Sequence, residues 1–383
     1  MRRRFRIGMI GGGQGSFIGA VHRIALRLDG FAELTAAALS SKKEIAIASA
    51  KDLLIAEDRI YTDFKTMLTT EAQLPKDTRI EIVSIVTPNH VHFEPAKMAL
   101  ELGFHVVLEK PATFTLSQAQ KLHEISKTTG KKLLLCHTYT GYPMVKEAKI
   151  MIASGKLGPI RKVYAEYPQG WLSTFLEKEN NVQASWRTDP SKSGIAGAMG
   201  DIGTHVFNLA EYVTGLKVTK ICADINTVVT DRLLDDDGAA LIKFDNGSSG
   251  VFTATQIAAG EENNIKIKVH CLKGSIEWQQ DQANSLLVKW LDAPAQIYRT
   301  AAGYNSSLAN ANIRTPPGHP EGYLEAFANL YSNFLHYIYA LENNLPINEE
   351  WEDFPDTEAA VRGMQFIERV IASGKSDTKW LDF

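Results

Sequence analysis

The chain of 383 residues is poor in cysteine, with only Cys136, Cys222 and Cys271. They lie far apart, form no Cys-x-x-Cys pair and sit in strand-like runs. That pattern supports neither a zinc site nor a disulfide framework, and each reads as a small buried hydrophobe. Long apolar runs are missing too, so no membrane-spanning helix is expected. No apolar core of signal-peptide length precedes the first strand-like run, and a cytoplasmic location is expected. The basic opening, Met1-Arg2-Arg3-Arg4-Phe5-Arg6, reads as a solvated terminus. Charge of one sign is also lacking. The formal net charge of −3 gives no electrostatic reason to expect nucleic acid or a membrane surface as partner. There is no internal repeat and no low-complexity segment. What remains is an ordinary globular composition, long enough for two hydrophobic cores.

The rest of the chain is organised around Val106-Val107-Leu108-Glu109-Lys110-Pro111-Ala112. Residues 106–108 read as a buried parallel strand that ends in an acid, a lysine and a proline. Ligands of open α/β sheets bind just beyond the carboxyl ends of the strands, so a lysine there faces the ligand. A partly buried lysine can exchange protons near neutral pH. Pro111 disfavours helix at Lys110 and keeps the exit extended. Taken alone, a strand-ending lysine that reaches solvent also accounts for the stretch.

Residues 5–10 read as a first strand. Gly11-Gly12-Gly13-Gln14-Gly15-Ser16-Phe17-Ile18-Gly19 follows, and residues 20–28 carry apolar side chains at helical spacing. Strand, glycine-rich turn and helix form the context of a dinucleotide fingerprint, whose glycines let the backbone approach a pyrophosphate. Gly11 and Gly13 supply the first two positions. Ser16 stands where the third is expected, and Gly19 fits a loop three residues longer. Gln14, Ser16, Phe17 and Ile18 complete the candidate contacts. After a second strand over 33–39, an acid would bind the ribose hydroxyls of NAD. Ser40, Ser41, Lys42 and Lys43 stand there instead. Hydroxyls and cations suit a 2′-phosphate and favour NADP, while an exposed first helical turn explains the lysines equally well.

Residues 80–86 read as a buried strand that delivers Thr87, Pro88 and Asn89 to the ligand edge. A helix over 93–102 follows. His90 and His92 have no acid or cysteine at ligand spacing, so no metal site is expected. His92 reads as a helix-entry or surface residue on the cofactor side, and Glu109 and Lys110 join the cofactor set. A helix over 116–127 and a strand over 132–136 complete an α/β N-terminal domain, residues 1–137, with a doubly wound parallel sheet.

Beyond residue 137 strand-like runs dominate: 160–167, 218–226, 239–244, 249–255 and the strictly alternating 265–270. Asp245-Asn246-Gly247 signals a hairpin. An α+β C-terminal domain, residues 138–383, with a large and mostly antiparallel open sheet is expected, one face on helices and the other free for oligomerisation. A second chemical cluster lies at Gly197-Ala198-Met199-Gly200-Asp201-Ile202-Gly203-Thr204-His205. Asp201 and His205 are four apart and share a side of one helical turn. An N-cap acid and a core histidine are the plainer readings. Tyr139, Trp171, Trp186 and Arg187 are candidate substrate contacts. His319 and Tyr323 either reach a pocket or cap and pack the helix that follows. Its stripe of Leu324, Phe327, Tyr331, Phe334, Ile338 and Leu341 reads as core, and residues 303–318 read as a loop over a site.

Together these stretches resemble the glucose–fructose oxidoreductase, inositol dehydrogenase and rhizopine-catabolism family (Gfo/Idh/MocA). The likeness rests on Gly19-Ala20-Val21-His22, Thr87-Pro88-Asn89-His90, Glu109-Lys110-Pro111 and residues 197–205, and it spans nearly the whole chain. It implies a Rossmann domain, an open-sheet domain, and NAD- or NADP-dependent oxidation or reduction of a sugar or cyclitol by a homodimer or homotetramer. By the same resemblance, Lys110, Asp201 and His205 line the site. His205, of a residue type that titrates at about 6.5, is favoured as base. Lys110 would hydrogen-bond the reacting oxygen and Asp201 would orient substrate or His205; the roles of Lys110 and His205 are exchangeable. Two rivals share the fold: an NAD-dependent glycoside hydrolase and a non-catalytic cofactor-binding regulator.

Overall fold

The computed structural model describes residues 3–179 and 181–383. The chain divides into two compact units. The first comprises Met1–Thr138 and Tyr323–Val361, the second Tyr139–Gly322 and Arg362–Phe383. Among the described residues no helix is long and apolar enough to cross a membrane.

The first unit opens with β1 (Phe5–Gly11), α1 (Phe17–Leu28), β2 (Ala32–Ala38), α2 (Lys43–Asp52) and α3 (Phe64–Gln73). It continues through β3 (Ile82–Val86), α4 (Phe93–Glu101), β4 (His105–Leu108), α5 (Leu116–Thr129) and β5 (Leu133–Leu135). The strands form the expected parallel sheet in the order β2-β1-β3-β4-β5. Every side chain of β3 and β4 is buried, as a sheet covered on both faces requires.

The second unit holds α6 (Pro143–Ala153), β6 (Ile160–Pro168), α7 (Val182–Arg187), α8 (Pro190–Ser193), α9 (Thr204–Thr214) and β7 (Val218–Asn226). Next come β8 (Asp237–Phe244), β9 (Ser249–Thr255), β10 (Lys266–Cys271), β11 (Gly274–Gln279), β12 (Ser285–Trp290), β13 (Gln296–Arg299) and α10 (Ser307–Asn310). After α11 (Tyr323–Glu342) and α12 (Thr357–Lys375), β14 (Trp380–Asp382) ends the nine-stranded sheet β13-β12-β11-β10-β6-β9-β8-β7-β14. Its one parallel pair is β6 with β9. Alternate residues Val163, Ala165 and Tyr167 of β6 are buried. Tyr164 and Leu241 stand exposed on other positions of the same sheet.

The expected boundary of 1–137 and 138–383 needs correction. Helix α11 belongs to the first unit, because Phe327, Leu330, Tyr331, Phe334 and Ile338 share one apolar cluster with Phe5, Ile7 and Met9 of β1 and Val21 and Ala25 of α1. A helix with that much apolar surface is held by what it buries, not by its place in the chain. The basic start is not simply solvated. Arg3 and Arg6 pair with Glu81 at 2.6 and 3.3 Å, while Met1 and Arg2 lie outside the described residues.

Glu342, at the end of α11, receives a hydrogen bond from His105 Nε2 at 3.1 Å and pairs with Lys131 at 3.2 Å. The His105 Nδ1 accepts from the Lys132 amide, which fixes the Nε2–H tautomer. The His105 hydrogen bond, with Lys131 beside it, lowers the Glu342 carboxyl from an ordinary 4.5 to about 2. A depressed acid contributes stability that is complete above its unfolded value and lost as pH falls through the folded one. The urea midpoint of Glu342→Gln is therefore expected to fall less between pH 5 and about 2 than that of the parent. Parallel acid limbs would remove this pairing as a source of acid lability.

Candidate active site

Strands β1, β3 and β4 lie side by side and end at Gly11, Val86 and Leu108. Their carboxyl edge carries the glycine turn, Thr87 and Lys110, the arrangement in which open α/β sheets hold ligands. The turn after β1 uses left-handed backbone at Gly11, Gly12 and Gly15 (φ +79°, +78° and +80°). Helix α1 starts at Phe17, earlier than the apolar spacing indicates, because Ser16 caps it with an Oγ that accepts from the Gly19 amide at 3.3 Å. Gly19 thus falls in the first helical turn, backed against Gly12. A Cβ there would sit 2.7 Å from the Gly12 carbonyl oxygen. Gly19 is therefore the glycine of close helix–strand approach, and the three extra residues are the cap and the first turn. Arg23 clamps the same turn by donating to the Gly12 carbonyl at 2.6 Å.

The other nucleotide candidates divide. Gln14 turns toward α2, its amides donating to Ser49 Oγ (3.0 Å) and Asp52 Oδ2 (2.8 Å). Phe17 is exposed, while Ile18 packs partly against the apolar core. Ser40 Oγ accepts from the Lys42 amide at 3.1 Å, and Ser41 and Lys42 are exposed. Thr87 Oγ1 is buried with no hydrogen-bond partner among the described residues, which marks a polar atom suited to a bound group. Pro88 and the buried Asn89 follow it. The glycine cradle, the capped start of α1 and this hydroxyl fit a dinucleotide.

His92 is neither a surface residue nor a ligand-facing one. It is buried between two main-chain oxygens, Nδ1 2.9 Å from the Pro111 carbonyl and Nε2 2.8 Å from the Thr87 carbonyl. Burial lowers its pKa, and the neutral ring, wedged between the exits of β3 and β4, donates its one N–H to one of the two carbonyls. Glu109 is buried as well. Its Oε2 accepts from the Lys110 amide (3.1 Å) and its Oε1 from His22 Nε2 (2.8 Å). The Lys110–Pro111 peptide bond is cis. Burial and the nearby Lys110 push His137 down to about 3, so it remains an uncharged ring. His22, Glu109 and Cys136 bring three ligand-type atoms within 4.8 Å. Both His22 nitrogens are occupied by hydrogen bonds, to Glu109 and Tyr331. Burial pushes the Cys136 thiol up, away from the thiolate that metals take.

In the second unit one carboxylate sets the turn that carries Asp201. Asp235 accepts from the amides of Gly197 (2.6 Å) and Met199 (2.8 Å), and its own carbonyl accepts from Ala198 (2.8 Å). A Cβ at Gly197 would overlap that carbonyl. Residues Met199–Gly203 wind as a π-turn straight into α9, a device common at functional sites. Asp201 consequently is not a cap. Its carboxylate accepts from Gln256 Nε2 (2.9 Å) and faces Arg187 Nε (3.4 Å). The Arg187 guanidinium lies over the rings of Trp186 (4.3 Å) and Trp171 (5.9 Å). Trp171 Nε1 donates to Gln169 Oε1 (3.0 Å), and Gln169 Nε2 donates to Asn263 Oδ1. The Tyr167 hydroxyl donates to the same oxygen and is hydrogen-bonded to Tyr139. Tyr139 meets the His205 ring edge-on at 4.8 Å. Burial pushes its hydroxyl well above the ordinary range, so it stays protonated.

Asp201, His205, Tyr139, Trp171, Trp186 and Arg187 thus come together. His319 does not join them: it is exposed, with Nδ1 3.3 Å from the Pro316 carbonyl. Tyr323 opens α11 in the first unit and packs on Phe327. Sequence reading missed Tyr167, Gln169, Gln256 and Asn263. Polar residues at strand ends and in loops form no spacing motif, and only the β6–β9 pairing brings the first three together.

A doubly wound nucleotide sheet and an open-sheet unit carrying a histidine–aspartate turn define a dinucleotide-dependent oxidoreductase. Residues 5–137 match the oxidoreductase family with an NAD-binding Rossmann fold, and residues 145–277 match the Gfo/Idh/MocA C-terminal domain. The chain is 31% identical to the uncharacterized oxidoreductase YfiI of Bacillus subtilis, over 99% of this chain and 96% of that one. It is 29% identical to levoglucosan dehydrogenase of Pseudarthrobacter phenanthrenivorans, over 84% and 82%. An inositol dehydrogenase homologue of Azotobacter vinelandii, solved with NAD+, superposes with a TM-score of 0.95 at 32% identity, over 100% and 98% of the two chains. That homologue is also similar in its complex with NADH and myo-inositol. The chain belongs to the Gfo/Idh/MocA family of oxidoreductases.

Two glycines test the geometry. Gly19→Ala forces helix and turn apart, and is expected to weaken nucleotide binding at least tenfold in a tryptophan-fluorescence titration. Gly197→Ala displaces the Asp201 turn and is expected to cut turnover by up to about a hundredfold, the scale of an ångström-sized misplacement, with nucleotide binding kept. Parent-like behaviour of either variant would show that the close approach is not needed.

Proposed function

We propose that the protein transfers a hydride between a nicotinamide dinucleotide and a secondary alcohol, or the matching ketone, of a sugar, sugar derivative or cyclitol. The observation that carries this reading is the shared carboxyl edge of β1, β3 and β4, with the glycine cradle, the unpartnered Thr87 hydroxyl and Lys110. The polar and aromatic cluster around His205 in the second unit supports it, as do the levoglucosan and myo-inositol relatives. The bound dinucleotide would take or give the hydride. His205 takes the hydroxyl proton as base, Lys110 hydrogen-bonds the developing oxygen charge, and Asp201 orients the substrate. Ser40, Ser41 and Lys42, with no acid after β2, favour NADP over NAD. The free face of the nine-stranded sheet is assigned to a homodimer or homotetramer contact.

Fluorescence titration with both nucleotides, then absorbance of the reduced nicotinamide across sugars and cyclitols, tests the reading. Lys110→Ala and His205→Ala are each expected to lower kcat by two to four orders of magnitude, with nucleotide binding retained. Lys42→Ala is expected to weaken NADP selectively, by roughly threefold to tenfold for one exposed charge pair. Full turnover of Lys110→Ala would take that residue out of the mechanism. Binding without net reduction, but with release of sugar from glycosides, would replace the dehydrogenase by a hydrolase.

A further inference from the structure

The first unit contains a closed polar chain that the reaction above does not use. His22 lies on α1, Ser84 on β3 and Tyr331 on α11, and none of the three is more than 1% exposed. His22 Nδ1 is 2.7 Å from the Tyr331 hydroxyl and 3.3 Å from Ser84 Oγ, and Ser84 Oγ is 3.1 Å from the Tyr331 hydroxyl. On its other side, His22 Nε2 is 2.8 Å from Glu109 Oε1. One proton assignment satisfies the chain from Ser84 through Tyr331 and His22 to Glu109, with the 3.3 Å approach of Ser84 Oγ to Nδ1 left as a side contact. Ser84 donates to Tyr331, Tyr331 donates to Nδ1, and Nε2–H donates to a Glu109 carboxylate whose second oxygen accepts from the Lys110 amide. Burial pushes the Tyr331 hydroxyl well up, in keeping with a donor that never ionises.

We propose that His22, held in one tautomer by Tyr331 and Ser84, is a positioning residue that fixes Glu109 and, through it, the main chain of Lys110. The inference rests on the catalytic reading of Lys110 given above. The chain is an anchor and not a proton wire, because its end away from Lys110 is the fully buried Ser84. A carboxylate with two fixed donors has one orientation, and the Lys110 amide is bound to it. Ring contacts with Phe327 (4.7 Å) and Tyr331 (5.8 Å) hold the imidazole laterally, so its plane and its tautomer are both set.

The test is a double-mutant cycle on kcat. His22→Phe keeps a ring against Phe327 and removes the donor to Glu109. It is expected to lower kcat about tenfold or more, the worth of one hydrogen bond to a charged group. KM and the nucleotide dissociation constant should change less than about threefold. In a Lys110→Ala background the same change should have no further effect on kcat, because a residue acting through another does not add to its loss. Should His22→Phe fail to fold, the pair Tyr331→Phe with Ser84→Ala frees the Nδ1 side and is measured in the same cycle. Equal losses in both backgrounds, or parent-like kcat, would overturn the assignment. Full activity of Lys110→Ala by itself would instead overturn the catalytic reading on which the cycle is built.

Discussion

Burial of the Glu109 carboxylate is the constraint on which the first unit turns. An unpaired charge in such a place costs several kcal/mol, so its position calls for donors. One comes from the next residue's amide and the other from His22, five residues into α1. His22 can reach it only if α1 starts where the Ser16 cap starts it, and α1 can lie that close to β1 only because Gly12 and Gly19 carry no side chains. The nucleotide turn and the lysine-bearing strand exit are thus fixed by one set of contacts. The same carboxylate explains why the chain returns to this unit after residue 322. Helix α11 brings Tyr331 to the far nitrogen of His22 while its apolar stripe covers β1 and α1.

The second unit solves a similar problem in the same way. Asp235 is buried, and burial raises its pKa against three main-chain donors that lower it. Its oxygens hold the amides of Gly197 and Met199, so the π-turn that aims Asp201 sideways rests on a carboxylate with no apparent part in the chemistry. Arg232 braces the neighbouring stretch. It binds Glu177 and Asp236 and donates to the carbonyls of Leu172 and Thr174, just beyond Trp171. In both units the residues placed nearest the proposed chemistry are oriented by buried polar groups one step further back.

Those groups further back are what the sequence conceals. The parallel sheet, its strand-end lysine and the antiparallel second sheet were legible, because period-two and period-3.6 patterns and the residues after each strand encode them directly. The Asn246-Gly247 hairpin between β8 and β9 was legible for the same reason. The home of α11 was not, since an apolar stripe states that a helix is buried and not against what. Nor was the role of His92. Its spacing from Thr87 and Pro111 carries no motif, and only the adjacency of β3 and β4 brings the two carbonyls to its ring. Gln256 and Asn263 were invisible because they gain meaning from register, which a single strand does not display.

Charge balance in the cluster around His205 bears on what it accepts. Its formal charges include Arg187 and Asp201, which face each other, with Gln183 taking a further guanidinium hydrogen. Around them stand amides, indoles and phenols: Gln169, Gln256, Asn263, Trp171, Trp186, Tyr139 and Tyr167. Amides offer donors and acceptors to hydroxyl groups, and flat rings offer faces to C–H surfaces, so such a cluster discriminates by hydrogen-bond geometry and shape. The paired charges leave the hydroxyl-matching amides and the ring faces as the groups that a ligand of the proposed kind would meet.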